Sequence, residues 1–166
     1  DETAQVAELA HRAGLSCEGE IGFVGYDDGE ASHGTDPDDA ARFARESGVD
    51  AMAISVGNVH LQQNREGGLD EARIRDIETV TDIPLVIHGG SGVPLVQRQT
   101  LARTSCICKF NIGTELRMAF GQNLRATLRA DPDIFDRVQI LSRLENPLQQ
   151  AARHVLRNIG PAEVSP

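Results

Sequence analysis

The sequence predicts an α/β fold, a parallel sheet covered by helices, and three observations carry that prediction. Short apolar segments alternate with helical ones, strand then helix, four times along the chain. The segments AMAISV and PLVI lack polar alternation, as expected of strands buried on both faces. Polar residues gather just past the C-terminal end of each segment, where parallel α/β sheets build their sites.

The elements follow in order. AQVAELAHRAG (4–14) reads as a helix closed by Gly14 as its C′ residue. LSCEGEIGFVG (15–25) reads as a strand with outward-facing glycines, and YDDGEASHG as a polar loop. TDPDDAARFARESG (35–48) carries a full helix signature: Thr35 or Asp36 as N-cap, Pro37 at the first position, acids in the first turn and Gly48 at the end. VDAMAISVG (49–57) is an apolar strand and NVHLQQNREGG a loop. LDEARIRDIETVT (69–81) is an amphipathic helix with Leu69, Ile74, Ile77 and Val80 on one face. IPLVIH (83–88) is a strand, with Leu85 to Ile87 expected to fill the interior of a closed sheet, and GGSG is a loop. VPLVQRQTLART is a helix with Pro94 near its start, SCICKFNIG (105–113) a strand and turn, and TELRMAFGQNLRATLRA a long helix. Two further helical stretches follow Asp131-Pro132 and lead to a tail.

Two architectures fit a fourfold strand–helix unit, an open doubly wound sheet and a (β/α)8 barrel of the TIM type. No G-x-G-x-x-G follows the first strand, which lowers the dinucleotide-binding reading. The strand ends carry Glu20, then Asn58 and His60, then His88 and GGSG, then Asn111 and Thr114, and barrel sites are assembled at that end. The expectation is therefore a TIM-type barrel of which this chain supplies roughly strands 5–8. Residues 1–130 would form the half-barrel and 131–166 a helical extension.

The net charge of −9, with basic residues scattered, argues against nucleic acid and anionic membranes as partners. No stretch approaches the roughly 20 apolar residues of a membrane span. The odd count of three cysteines and the C-I-C spacing match no zinc-knuckle or redox motif, so Cys17, Cys106 and Cys108 are expected to be buried reduced thiols in a cytoplasmic protein.

Three constellations carry chemistry. His60 and His88 lie past the ends of consecutive strands, so their imidazoles either converge on a metal ion or serve separate hydrogen-bonding roles. A third ligand would have to come from elsewhere. His11, His33 and His154 fall on a helix face, in the polar loop and in the tail. Gly89, Gly90, Ser91 and Gly92 open a helix, and Asn111, Ile112, Gly113 and Thr114 repeat that arrangement at the next strand end. Together they suit a phosphate cradle of backbone N–H groups, although glycine after a strand is often only a turn. Glu18 and Glu20 alternate along one strand and point to the same side. Asp27, Asp28 and Glu30 form either a functional acidic loop or a solvated one.

The segments CEGEIG, GVDAMAISVGNVH, PLVIHGGSGVP and KFNIGTELR, in this order and spacing, closely resemble the class II, zinc-dependent fructose-bisphosphate or tagatose-bisphosphate aldolases. The resemblance runs from about residue 3 to residue 130. It implies His60 and His88 as two of three histidine ligands of a catalytic Zn2+, and Glu20 as the carboxylate of a second or alternate zinc position. It implies Gly89, Gly90 and Ser91, with Asn111, Ile112, Gly113 and Thr114, as the residues that hold the phosphate of dihydroxyacetone phosphate. Backbone carbonyls near Gly57 and Gly89 fall where the family often holds a monovalent cation. The implied reaction is reversible aldol cleavage of a ketose bisphosphate to dihydroxyacetone phosphate and glyceraldehyde 3-phosphate, by a cytoplasmic lyase that forms dimers or tetramers.

The chain departs from the family in three ways. The first half, with the third histidine and the acid/base aspartate, has no counterpart here, so the chain is expected to be a fragment inactive alone; Asp27 and Asp28 are the loop candidates for proton transfer. Leu61 replaces a glycine whose N–H contacts phosphate. The loop Gly25-Tyr26-Asp27-Asp28-Gly29 is one residue shorter than the family's, with aspartate in place of glutamate. A degenerate homologue that holds a sugar phosphate or metal without cleaving it is the alternative.

Overall fold

The computed structural model describes residues 2–22, 25–26, 34–60 and 68–160, with the backbone alone for 25, 26, 59 and 60. Its centre is a parallel sheet of four strands in the order β1 (Glu18–Glu20), β3 (Ala51–Ile54), β5 (Leu85–Ile87) and β6 (Ile107–Phe110). Two shorter strands, β2 (Gly25–Tyr26) and β4 (Val59–His60), pair in parallel beyond the ends of β1 and β3. Residues Val59 and His60, expected in a loop, thus belong to a strand.

Helices connect the strands. α1 (Glu2–Arg12) precedes β1, with Gly14 just beyond at φ 73°. α2 (Pro37–Ser47) starts as the sequence predicts: the Asp36 carboxylate accepts from the amides of Asp38 and Asp39, and Gly48 ends the helix at φ 67°. α3 (Glu71–Val80) is capped by Asp70, whose side chain accepts from the Arg73 amide at 3.0 Å. α4 (Leu95–Thr104) follows Pro94, and α5 (Thr114–Ala130) follows β6. The last helix, α6 (Arg137–Ile159), is single and runs through Pro147, where two stretches were expected. Proline removes one backbone donor there, yet the remaining turns close across it.

The period-two pleat explains what each face of the sheet does. Met52, Ile54, Leu85, Ile87 and Ile107 pack with Ile74, Ile77 and Leu101 of the covering helices in one core. Leu85 and Ile87 therefore belong to the layer between sheet and helices and not to the opposite face, where Val86 pairs with Ala53 and Lys109. Gly19 is also turned toward the core: a Cβ there would lie 2.9 Å from Phe43 Cζ and 3.0 Å from Val49 Cγ1. The expectation of outward-facing glycines fails here because the Phe43 ring fills the space a side chain would take. Val80 is 41% exposed and does not join Leu69, Ile74 and Ile77 in the core. Within the four-stranded sheet β3 and β5 approach burial on both faces, whereas Glu18, Glu20, Cys108 and Lys109 on its outer strands are exposed.

β6 carries an irregularity. Leu85 pairs with Ile107, but Val86 pairs with Lys109, so Cys108 is an extra residue on that strand.

Candidate active site

The sheet face opposite the helices carries a line of charged and polar side chains. Glu18 and Glu20 sit on β1, Lys109 on β6, and His88 one residue past β5. Lys109 Nζ donates to Glu18 Oε2 at 2.6 Å, and the other oxygen, Glu18 Oε1, lies 3.3 Å from His88 Nε2. His88 Nδ1 lies 3.3 Å from Glu20 Oε2. The imidazole is thus bracketed by two carboxylates, and its side chain is 17% exposed. Partial burial pushes the Glu18 carboxyl up, but the hydrogen bonds and charges of Lys109 and His88 outweigh that, and it sits below the ordinary carboxylate value.

Asn58 fixes the backbone beneath this cluster. Buried, it accepts from the Val56 amide at 2.7 Å and donates to the carbonyls of Ile54 at 3.2 Å and His88 at 3.0 Å. It joins the ends of β3 and β5 and so sets where His88 starts.

Beside the charged line lies a cavity of about 450 Å³, within the range of small-molecule sites. Six of the residues predicted to hold phosphate line it: Gly89, Ser91, Asn111, Ile112, Gly113 and Thr114. Gly90 sits behind them. A Cβ on it would come within 3.0 Å of Ile112 Cδ1 and 3.3 Å of the Asn111 carbonyl, which accepts from the Gly90 amide at 3.1 Å. Gly89 adopts φ 65°, which a side chain would oppose. Residues Gly90–Gly92 form a 3-10 turn, and the N-cap residues of that turn and of α5, Gly89 and Gly113, supply no side-chain cap, although Ser91 Oγ accepts from the Glu115 amide at 3.2 Å. The first-turn amides without such a partner are the backbone donors left for an anion.

Arg117 also lines the cavity. It folds back over the start of its own helix, with Nη2 2.7 Å from where a Gly113 Cβ would stand. The motif KFNIGTELR contains this arginine, and its i, i+4 spacing from Gly113 was the signal available for it. Lys109, in the same motif, was likewise not assigned from sequence.

Of the predicted metal ligands, Glu20 and His88 are brought together. His60 is placed by its backbone in β4, opposite Tyr26, and its side chain lies outside the described residues. Asp27, Asp28 and His33 lie outside them as well, as does Leu61. Among the described residues no group of three or more His, Cys, Asp or Glu is arranged to hold a metal ion. Gly57, one of the two positions tied to a monovalent cation, adopts φ 93°, and the Gly89 carbonyl accepts from the Gly92 amide at 3.2 Å.

The other predicted groups have structural surroundings. His11 Nε2 lies 2.9 Å from Asp50 Oδ2, and His154 sits in α6 and not in a tail. The cysteines are free but not buried: Cys17 is half-buried, and Cys106 and Cys108 are exposed because they lie at the sheet's rim. Desolvation, then the charges of Glu78 and Asp82, push the Cys106 thiol up, which disfavours the reactive thiolate. No helix among the described residues is long and apolar enough to cross a membrane.

The sheet, the charged cluster on its face and the cavity beside it together define an α/β protein with a polar site at one end of a parallel sheet. The class-II fructose-bisphosphate aldolase family matches residues 1–163, and the chain belongs to that family. A fructose-bisphosphate aldolase of Geobacillus stearothermophilus is 35% identical over 164 residues, which are 95% of this chain and 56% of that protein. The YdjI aldolase of Escherichia coli K12 superposes with a TM-score of 0.71 at 25% identity, covering 95% of this chain and 53% of that one. A fructose-bisphosphate aldolase of Campylobacter jejuni shares the fold, with a TM-score of 0.67 at 23% identity over 95% of this chain and 56% of its own. The chain spans about half the length of these relatives.

Proposed function

We propose that this chain is the C-terminal half of a TIM-barrel, zinc-dependent ketose-bisphosphate aldolase that cleaves a fructose or tagatose bisphosphate in the cytoplasm. The observation that carries the reading is the placement of the glycine-lined cavity and the Glu20–His88 pair at the same end of one parallel sheet. A phosphate held in the cavity would present the rest of a sugar phosphate to that pair.

The residues fit the metal as far as they are described. Two ligands of a tetrahedral ion at 2.0–2.1 Å stand roughly 3.3 Å apart, and His88 Nδ1 and Glu20 Oε2 are separated by 3.3 Å. His88 and His60 would hold the catalytic ion with a third histidine from the complementary half, and Glu20, beside His88, would serve a second or alternate zinc position. When bound, zinc supplies Lewis-acid polarisation of the ketose carbonyl. The chain's own residues do the rest. Gly89, Ser91 and the first turn of α5 bind the phosphate, Arg117 neutralises it, and Glu18, clamped by Lys109, orients the imidazole. The proton is assigned to an aspartate on the complementary half-barrel, with Asp27 or Asp28 as the candidates within this chain. The functional unit is an oligomer of completed barrels.

The test is an aldol-cleavage assay with fructose and tagatose bisphosphates and added zinc. The chain alone should be inactive, and supplying a complementary N-terminal half should restore cleavage that His88→Ala abolishes. Turnover by the isolated chain would sink the half-barrel claim. A completed protein that binds phosphate and never turns over would favour the non-catalytic homologue, the reading that Leu61 supports.

A further inference from the structure

Arg98 of α4 is fully buried, 0% exposed, an unfavourable place for a guanidinium unless its donors are engaged. Its Nε donates to Asn158 Oδ1 at 2.6 Å, and its Nη1 donates to the Gly90 carbonyl at 3.3 Å and to Glu115 Oε1 at 3.1 Å. Nη2 is buried with no hydrogen-bond partner. An apolar side chain would fill this space without leaving a buried donor orphaned, so packing alone does not account for an arginine here.

What the guanidinium touches does account for it. Gly90 lies in the turn behind the cavity, and its amide donates to the Asn111 carbonyl at 3.1 Å. Glu115 lies in the first turn of α5, and its amide donates to Ser91 Oγ at 3.2 Å. Two of the cavity's walls therefore meet at Arg98, although Arg98 does not line the cavity. The third partner comes from the far end of the chain. Asn158, near the end of α6, holds Arg98 through its oxygen and donates Nδ2 to the Leu95 carbonyl at 3.1 Å.

We propose that Arg98 is a positioning residue that locks the turn at Gly90 and the start of α5 into one rigid rim, with the end of α6 as its anchor through Asn158. The C-terminal helix thereby sets the geometry of the anion cradle without touching its ligand. The ligand in this inference rests on the phosphate reading above; the rigidity of the rim does not.

The experiment uses the complete protein that contains this chain, with Asn158→Ala, Asn158→Asp and Arg98→Met. Amide hydrogen exchange is read at Gly90–Gly92 and at the start of α5, and binding of inorganic phosphate is titrated. Asn158→Ala should speed exchange at both segments while α2 and α3 keep their protection, and should weaken phosphate about tenfold. In turnover it should raise KM and leave kcat within about twofold, because a loosened cradle costs uniform binding. Asn158→Asp, which keeps the acceptor for Arg98 and loses the donor to the Leu95 carbonyl, should recover part of all three. Unchanged exchange at the rim in Asn158→Ala overturns the proposal, whether or not Arg98→Met folds. Faster exchange with unchanged phosphate affinity overturns its functional half. A wild-type protein that binds no phosphate removes the cradle reading, and the exchange data still decide the rim.

Discussion

Gly19 shows how much one residue's facing decides. The sequence carries no signal for which way a glycine points, because the missing side chain is also missing from any hydrophobic pattern. Its facing is dictated by Phe43, 24 positions later on another element, whose ring occupies the space. Gly19→Ala is expected to destabilise the protein by about 1–3 kcal/mol through overpacking, read as a lower urea midpoint; an unchanged midpoint would show that the ring swings aside freely. Asp50 supplies a pH-dependent contribution of the opposite legibility, since nothing in its neighbourhood in the sequence points to its partners. Its carboxylate accepts from the Cys17 amide at 2.7 Å and lies 2.9 Å from His11 Nε2. The Cys17 hydrogen bond, then His11, holds it below the ordinary aspartate value of 3.8. A depressed folded-state value means stabilisation that is full above the unfolded value and lost as the pH falls through the folded one. Thermal melts of wild type and Asp50→Asn should differ near neutral pH and converge as the pH falls through the acid range; a pH-independent gap would contradict this.

Among the elements, helices with caps were the most legible. Asp36, Pro37 and Gly48 delimit α2 as local chemistry requires, because an N-cap and a left-handed glycine act within a few residues. In α6 the signal is also local but outweighed: a proline suggests a break, and the helix continues through it. The cavity was legible as two glycine-bearing loops. Its cation was not, because Arg117 lies on a helix whose other exposed arginines, Arg125 and Arg129, look alike in sequence. What singles it out is that it folds back over Gly113 and into the cavity. Arg117→Met should weaken inorganic phosphate about tenfold, the worth of one charge-assisted hydrogen bond, and leave the melting temperature nearly unchanged. The same loss in Arg125→Met would mean that only the overall field is being read.

For the whole molecule, strand order followed from the alternation of strand and helix, since parallel neighbours joined by helices lie next to one another in sequence order. The division of labour between the two sheet faces did not, because a run such as LVI is apolar at every position and gives no phase. The charged face becomes visible only where Glu18 of β1, Lys109 of β6 and His88, just past β5, meet in space. If His88 and Glu20 serve a metal, zinc added to the protein should raise its melting temperature in proportion to the logarithm of concentration above Kd. His88→Ala should remove that rise. A rise that survives the substitution would place the ion elsewhere.

The extra residue on β6 bears on chain editing. Ile107 and Phe110 pack toward the core with Lys109 turned to the polar face, and Cys108 is the position left over from the pairing with β5. Excising Cys108 would leave Ile107, Lys109 and Phe110 in plain alternation, each still on its present side. Excising Lys109 would instead leave Glu18 without its clamp. A single-codon deletion at 108 is therefore expected to fold and to keep phosphate affinity within about threefold, whereas deletion at 109 should, if the site holds zinc, weaken zinc-dependent stabilisation by about 10–100-fold in affinity; paired thermal melts and phosphate titrations would show it. In this strand, a residue is dispensable according to whether the sheet counts it and not according to how far it lies from the site.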